Sequence, residues 1–315
     1  MSSLLVALTG ATGFIGRHLL TDLRAHGYRL RVLLRHRIEG GPDIDAAIIG
    51  DLSRPLNMAK ALEGVDAVIH AAGIAHAMSE RPEKDYRAIN TEATLALARA
   101  AERAGVRRLV FLSSVRAQIG TSAEGVLDET RPPAPTDAYG RSKLAAEEGL
   151  AGLRIDWIAL RPVLVYGPGV KGNMRTLLTL AQARCPLPFA RFTARRSLLA
   201  LDNLASATRT VLMAPGPLRR PFLVADDEAL TLPEMIAAIR AGLGRRPGLL
   251  PMPPALLAFA AQAAGRGEIV ERLAGHLVVS TVALRMLGWT PLVDTRTGLG
   301  RLAALETTSG ETSSS

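Results

Sequence analysis

Cysteine is almost absent from this chain. The single Cys185 excludes a disulfide bond within the chain. The first residues, Met1-Ser-Ser-Leu-Leu-Val, lack the basic region and the cleavage site of a secretory signal, so we expect a cytoplasmic protein. No uninterrupted apolar run reaches the roughly 18 to 20 residues that a membrane span needs. We therefore expect no membrane span.

Lysine and aromatic residues are also scarce. Only four of the 38 basic residues are Lys, which leaves 34 Arg, and aromatic residues make up 4% of the chain. A net charge of +9 would suit a nucleic acid, but no basic run alternates with aromatic residues. We therefore expect no nucleic-acid surface, although a basic protein still attracts a small anionic substrate.

Short apolar runs alternate with helical patterns over the first half of the chain. Helical spacing is found at Ile15 to Ala25, Asn90 to Ala104 and Ala138 to Gly152. The predicted strands lie between them, at Leu4 to Leu8, Arg29 to Arg35, Ala46 to Ile49, Asp66 to His70, Arg108 to Leu112 and Trp157 to Leu160. This alternation predicts an α/β fold with a doubly wound parallel sheet of the Rossmann type, which binds ligands at the carboxyl ends of its strands.

The pattern changes after Gly169, where prolines interrupt the chain. We expect residues 1–169 to form mainly the dinucleotide-binding domain. Residues 170–305 are expected to form mainly a smaller C-terminal substrate-binding part, with room for some segments to return to the first domain. The polar residues 306–315 are predicted to be a disordered tail.

A glycine-rich turn joins the first predicted strand to the first helix. Gly10, Gly13 and Gly16 are spaced three residues apart, which suits a tight turn, a close approach of the backbone to a pyrophosphate, and close helix packing. The phosphates would lie at the helix N-terminus, where free N–H groups favour an anion. The turn predicts a dinucleotide site.

The end of the second predicted strand favours NADP over NAD. An acid at this position binds a free ribose 2′-hydroxyl, whereas an Arg suits a 2′-phosphate. Arg35 follows the strand here, and no acid appears before Glu39. Asp51, with Leu52 beside it, follows the third strand and is a candidate for contact with the adenine or for a helix cap.

Tyr139 and Lys143 form a candidate catalytic pair. Four residues apart on one predicted helix, they share a face. A phenol with a pKa near 10 is a poor base at neutral pH, so a nearby ammonium must stabilise its phenolate. Lys143 would do this and would also hold the nicotinamide ribose. The pair predicts a nicotinamide-dependent enzyme in which Tyr139 transfers a proton.

Over nearly its whole length the chain resembles the extended short-chain dehydrogenase/reductase family of nucleotide-sugar epimerases, dehydratases and reductases. The shared motifs occur in the family's order: TGATGFIG from Thr9, Asp51-Leu52, His70-Ala-Ala-Gly73, Asn90, Ser113-Ser114, Tyr139-x-x-x-Lys143, Arg161-Pro162, Tyr166-Gly-Pro-Gly169, Arg196 to Leu204 and Leu287-Gly-Trp-Thr-Pro291.

This resemblance implies further site residues. A triad of Ser or Thr with Tyr and Lys is expected, and Arg196 matches a position that contacts the diphosphate of the nucleotide sugar. Asn173 is a candidate to grip the substrate or to cap a loop. The resemblance also implies a homodimer built on helices that include the one with Tyr139. Further expected cofactor contacts are Thr12, Phe14, Ile15, Ala71, Ala72, Gly73 and Pro162.

The catalytic hydroxyl has two possible positions. Alignment on Gly120 places it at Val115, which has no hydroxyl, whereas counting back from Tyr139 places it at Ser114. We predict Ser114. A shift of one residue in a strand reverses the side chain's direction, so the two alignments describe different sites.

Two departures from the family's patterns narrow the activity. The 4,6-dehydratases carry an Asp-Glu pair where this chain has Arg116 and Ala117, so a dehydratase is not expected. Several segments most resemble reductases of a UDP-4-keto-6-deoxy-N-acetylhexosamine, which act in surface polysaccharide synthesis. We predict such a 4-ketoreductase; the alternatives are a UDP-hexose 4-epimerase with bound NAD and a non-catalytic NADP-binding sensor. His70 and His76 lack a third ligand, so no metal is predicted.

Overall fold

The centre of the fold is a seven-stranded parallel sheet. The structure, a computed structural model, describes residues 4–36, 45–52, 58–75, 81–253, 255–257 and 275–311. The strand order is β11-β7-β5-β4-β1-β2-β3, and neighbouring strands are parallel throughout. The strands are β1 (Leu5–Thr9), β2 (Arg29–Leu34), β3 (Asp45–Ile48), β4 (Ala67–His70), β5 (Arg108–Leu112), β7 (Asp156–Pro162) and β11 (Arg220–Val224).

The predicted doubly wound Rossmann-type fold is confirmed. The chain winds outwards from β1 in both directions, so the order reverses between β1 and β4, and the carboxyl ends of these two strands border the crevice. The helices are α1 (Phe14–Ala25), α2 (Met58–Ala61), α3 (Glu83–Tyr86), α4 (Ala93–Arg103), α5 (Ala138–Ala151), α6 (Gly172–Gln182), α7 (Leu201–Met213), α8 (Leu232–Gly242), α9 (Val282–Arg285) and α10 (Thr295–Glu311).

Both faces of the sheet are covered by apolar side chains. Val6 and Leu8 of β1 belong to one core cluster, and the alternate residues Leu5 and Ala7 belong to the other. All four are buried. Strands that are buried on both faces read as continuous apolar runs, which is why β1 was visible in the sequence.

The C-terminal half divides its elements between the sheet and a separate core. Strand β11 pairs with β7 at the sheet edge, and α7 packs against α1, so these segments return to the dinucleotide-binding part. A third apolar cluster joins α6, α8 and α10 around residues such as Leu177, Ile236 and Leu299. This cluster forms the smaller C-terminal part.

Short strands connect that part to the sheet. They are β6 (Val126–Leu127), β8 (Leu164–Tyr166), β9 (Arg195–Arg196), β10 (Leu198–Ala200), β12 (Leu230–Thr231) and β13 (Val278–Val279), paired as β10 with β8, β12 with β9, and β13 with β6. Buried Asn203 reinforces the connection: its Nδ2 donates to Asp226 Oδ1 at 2.7 Å, and its Oδ1 accepts from the backbone N of Leu292 at 2.7 Å.

Two predicted segments differ from the structure. The predicted helix from Asn90 to Ala104 begins earlier, with a π-helical turn at Arg87–Glu92 that runs into α4. The segment predicted as a tail, residues 306–315, overlaps α10, which continues to Glu311. Residues 312–315 lie outside the described residues.

No helix in the described part of the chain is long and apolar enough to cross a membrane.

Candidate active site

The glycine-rich turn between β1 and α1 lies against the loop that follows β4. Gly10 has a φ of +73°, and a Cβ there would be 2.6 Å from Ala71 C and from Ala72 N. A Cβ on Gly16 would collide with the carbonyl of Gly10. Only glycine fits these two positions, because backbone atoms occupy the space of a side chain.

This turn fits a dinucleotide. Helix α1 begins at Phe14, and Gly13 at its N-cap makes no side-chain capping hydrogen bond. The start of the helix thus has no side-chain cap from its N-cap residue, which suits the binding of a diphosphate by the first N–H groups. Thr12 is exposed, and Phe14 and Ile15 are half-buried. The contacts predicted at these positions remain predictions.

Arg35 directly follows the carboxyl end of β2, where the sequence predicted contact with the adenosine ribose. Its Nη2 lies 3.0 Å from Asp51 Oδ2, and both side chains are largely exposed. The two residues predicted separately for ribose and adenine are thus brought together as an ion pair. Leu52 is half-buried beside them. Glu39 lies outside the described residues.

The loop after β4 lies between the glycine-rich turn and Lys143. A Cβ on Gly73 would lie 2.9 Å from Asn90 Oδ1 and 3.4 Å from Lys143 Nζ. The side chain of Asn90 holds this loop, because it accepts from Ile74 N at 2.9 Å and donates to Ile74 O at 3.0 Å. Lys143 therefore borders the predicted cofactor loop.

Helix α5 positions the predicted catalytic pair. Asp137 caps its N-terminus and accepts from Gly140 N at 2.6 Å, so the helix begins immediately before Tyr139. Burial raises the pKa of Tyr139 to about 12, and a hydrogen bond with Ser114 opposes this rise. A buried phenol needs such help to ionise, since its anion has lost water.

The hydroxyl of Ser114 lowers the pKa of Tyr139, and its catalytic role stays a prediction. Val115 is buried in an apolar cluster. The neighbouring Ser113 points elsewhere, because its hydroxyl donates to Glu147. Buried Glu147 also pairs with Arg161, whose Nη2 lies 2.5 Å from Glu147 Oε2. Ser114 thus acts on Tyr139, whereas Ser113 binds Glu147.

Lys143 lies on α5, and its buried amine contacts the end of β5. Its Nζ donates to the carbonyl of Leu112 at 2.8 Å and lies 4.5 Å from the centre of the Phe111 ring. Burial lowers the pKa of Lys143 to about 7, while the charge of Glu147 acts to raise it. Pro162, predicted to contact the cofactor, ends the neighbouring strand β7.

Arg116 is a site residue that the sequence analysis did not assign. Its positive charge lowers the pKa of Tyr139, whereas Asp137, with which it forms an ion pair, raises it. Among the described residues, Arg116 Nη1 is buried without a hydrogen-bond partner. Its position two residues after Ser114 was the only signal in the sequence. The ion pair of Arg116 with Asp137, at the start of α5, depends on tertiary structure.

Arg196 lies near Arg116. Burial and the charge of Arg116 both lower the pKa of Arg196, and its Nη2 donates to Thr121 O at 2.8 Å. A half-buried guanidinium beside a second one favours an anion, since the fork of donors suits a phosphate. Asn173, exposed near the start of α6, has no described contact that links it to this cluster.

No group of three or more His, Cys, Asp or Glu side chains within the described ranges could hold a metal ion. His70 is described below, and His76 lies outside these ranges.

The fold and the glycine-rich turn together define a dinucleotide-dependent enzyme. The chain belongs to the NAD dependent epimerase/dehydratase family, whose model matches residues 6–227. It is an extended short-chain dehydrogenase/reductase, as its motifs predicted.

Curated and solved proteins agree with this family. The UDP-glucose 4-epimerase of Vibrio cholerae is 32% identical over 297 residues, which cover 91% of this chain and 90% of that protein. A solved structure of MoeE5 in complex with UDP-glucose and NAD is 26% identical, has a TM-score of 0.72, and matches 96% of this chain and 99% of its own. The UDP-N-acetylglucosamine 4-epimerase from Bacillus cereus, at 20% identity and a TM-score of 0.77, shares the fold over 96% of this chain and 99% of its own.

Proposed function

We propose that this protein is a UDP-hexose 4-epimerase. The position of Lys143 carries the proposal: it lies on the same helix as Tyr139, and its Nζ is 3.4 Å from the place of a Cβ on Gly73, in the loop that abuts the glycine-rich turn. The similarity to a UDP-glucose 4-epimerase over 91% of the chain supports C4 of the hexose as the reacting atom. This reverses the order of the two activities in the sequence analysis.

The proposed mechanism assigns each side chain one task. The glycine-rich turn would hold NAD, which would supply reversible hydride transfer at C4 of the hexose. Tyr139 takes the proton of the C4 hydroxyl and later gives it back. Ser114 donates a hydrogen bond that stabilises the phenolate, and the charge of Arg116 acts in the same direction.

Charged groups away from C4 hold the two ligands. Arg196 binds the diphosphate of the substrate through its guanidinium donors. Lys143 binds the nicotinamide ribose and adds positive charge near Tyr139, as the family resemblance implies. Gly10, Gly13 and Gly16 admit the dinucleotide diphosphate to the start of α1.

A second candidate is the 4-ketoreductase, which uses NADPH for a net reduction. Arg35 favours it, because an Arg at the end of β2 suits the 2′-phosphate of NADP. The same Tyr139 would then protonate the alkoxide that forms at C4. The cofactor thus separates the two activities: retained NAD for the epimerase and exchangeable NADPH for the reductase.

Two further properties follow from the family resemblance as proposals. We propose a homodimer that uses the helix of Tyr139, which light scattering of the purified chain tests, with a mass of about one chain as the contrary result. We also propose a cytoplasmic location, where nucleotide sugars and dinucleotides are available.

The test of function is incubation of the purified protein with UDP-glucose and with UDP-N-acetylglucosamine, without added dinucleotide. The epimerase forms the C4 epimers, which chromatography of the nucleotide sugars resolves. Consumption of NADPH only with a UDP-4-keto-6-deoxy sugar would establish the reductase instead. If neither reaction occurs while NAD binds, the nucleotide-sugar assignment is wrong.

A further inference from the structure

His70 lies at the end of β4, directly behind the crevice. It is fully buried and is stacked on Phe111, with ring centres 5.7 Å apart and planes inclined by 20°. Its Nδ1 is 2.7 Å from Thr9 Oγ1, and its Nε2 is 2.9 Å from Thr94 Oγ1. The ring therefore connects the end of β1 with α4.

The hydrogen bonds of Thr94 determine the tautomer of His70. The hydroxyl of Thr94 donates its only proton to the carbonyl of Asn90 at 2.7 Å. Its oxygen can then only accept from His70, so Nε2 carries a proton. A neutral imidazole has one N–H, so Nδ1 is bare and accepts from the hydroxyl of Thr9.

The ring is held neutral by its surroundings. Burial and the positive charge of Lys143 together lower the pKa of His70 to about 3. The Nζ of Lys143 lies 4.5 Å from the centre of the Phe111 ring, which is the ring stacked on His70. An imidazolium at this position would be a second buried cation beside Lys143, which is costly.

On the cofactor side, the chain of hydrogen bonds ends at the loop after β4. Thr9 Oγ1, having donated to His70, accepts from the backbone N–H of Ala72 at 3.3 Å. This loop also abuts Gly10 of the glycine-rich turn. The orientation of the His70 ring therefore helps to fix the backbone of the loop after β4, at Ala72.

On the catalytic side, the chain reaches the helix of the Tyr–Lys pair through Asn90. The Nδ2 of Asn90 donates to Ser142 Oγ at 3.1 Å, and Ser142 Oγ donates to the carbonyl of Tyr139 at 2.7 Å. Thr91 adds a bond from its hydroxyl to the carbonyl of Ser142 at 2.7 Å. Each side chain in this series of hydrogen bonds, from Thr9 to Ser142, has a partner, as a rigid network requires.

We propose that His70 is a positioning residue: fixed as the Nε2–H tautomer, it connects the backbone of the cofactor loop at Ala72 with the helix that carries Tyr139 and Lys143. The inference rests on the proposed function for its kinetic consequence, because positioning matters only if hydride and proton transfer occur between these two walls. The tautomer and the cofactor affinity are independent of the substrate.

The tautomer is measured by ¹⁵N NMR of the ring nitrogens at pH 7.5, with the His70→Asn variant used to assign the signals. We expect a protonated, pyrrole-type Nε2 and an unprotonated, pyridine-type Nδ1. The opposite pattern, or an imidazolium, would overturn the inference whether or not the protein acts on a UDP-sugar.

The link to the cofactor loop is tested with Thr9→Val and Thr9→Ser. Valine has the shape of threonine but neither donates to His70 nor accepts from Ala72. We expect the affinity for NAD, measured by calorimetry, to fall about tenfold in Thr9→Val, as for the loss of a buried hydrogen bond. Serine should restore most of it. Unchanged affinity in Thr9→Val would contradict the link.

The link to the catalytic helix is tested with Thr94→Val, with Thr94→Ser as the conservative variant. We expect kcat to fall about tenfold in Thr94→Val, with a KM close to that of the parent protein. Serine should recover most of the loss. A parent level of kcat in Thr94→Val would overturn the positioning role.

Thr208→Val is the matched control for this pair. Thr208 is also buried in a helix and also donates to the carbonyl four residues earlier, Leu204, at 2.8 Å, but it has no contact with His70. Both valine variants should lower the melting temperature, whereas only Thr94→Val should lower kcat. Equal losses of kcat would reduce Thr94 to a structural role.

Discussion

The serine pair after β5 gives the sharpest prediction about the chemistry. Ser114 is 8% exposed, and its hydroxyl lowers the pKa of Tyr139. Ser114→Ala removes this interaction and the N-cap hydrogen bond that Ser114 Oγ accepts from the backbone N of Arg116 at 3.2 Å. A change in the pH dependence of the rate therefore reports the effect on the phenolate, because the cap bond involves no group that titrates.

The magnitude follows from the charge on the acceptor. A hydrogen bond to a charged group contributes about 1.5–3 kcal/mol, which corresponds to a loss in kcat of about ten- to 150-fold. Because the bond with Ser114 lowers the pKa of Tyr139, the variant should also need a higher pH for half-maximal rate. The assay is the formation of the C4 epimer of UDP-glucose from pH 6 to about pH 10, below the pKa of Tyr139, where the rate should rise with pH and a higher pKa should lower the rate at every pH.

Ser113→Ala is the matched control. Ser113 is adjacent and equally buried, but its hydroxyl donates to Glu147, which in turn pairs with Arg161. We expect a lower melting temperature and a kcat within about threefold of the parent, because the loss of a buried hydrogen bond away from the reacting atoms acts mainly on stability. If Ser113→Ala slows the reaction and Ser114→Ala does not, the orientation of this segment is wrong.

Three further experiments test the cofactor site, the substrate site and the neutral state of His70. Gly16→Ala should abolish measurable NAD binding in calorimetry, because its Cβ collides with the carbonyl of Gly10; normal affinity would contradict this. Arg196→Met should raise the KM for UDP-glucose about tenfold or more, as for the loss of a charge-assisted bond, whereas Arg195→Met, on the adjacent exposed residue, should not. Because the pKa of His70 falls to about 3 in the folded chain, stability should decrease as the pH falls from about 6.5 towards 3. Urea unfolding of the apo chain at pH 7 and 5 measures this, and an equal loss in His70→Asn would contradict it.

The alternating strands and helices of the first half were predictable from the sequence. Strand β5 occurs at the predicted bounds, Arg108–Leu112, and α5 ends one residue before the predicted Gly152. Strand β11 was not predicted, because Pro221 interrupts its pattern. It forms an edge strand that pairs only with β7, where a missing N–H is tolerated.

The site was predictable where its residues are close in sequence. Tyr139 and Lys143 share one helix, and the glycine-rich turn is continuous. The contacts of Arg116 with Asp137 and the link from His70 to Thr94 join distant segments, so no spacing in the sequence reveals them. Their geometry depends on the order of strands in the sheet.

The central claim is that the phenol of Tyr139 transfers the proton at C4 of the substrate. The direct measurement is kcat for UDP-glucose epimerisation by Tyr139→Phe, beside Tyr86→Phe, whose buried ring packs against Tyr139 at 6.1 Å between centres. We expect Tyr139→Phe to lose about two to four decades in kcat, with NAD affinity retained, while Tyr86→Phe stays within a few-fold of the parent. Turnover by Tyr139→Phe at the parent rate would contradict the claim.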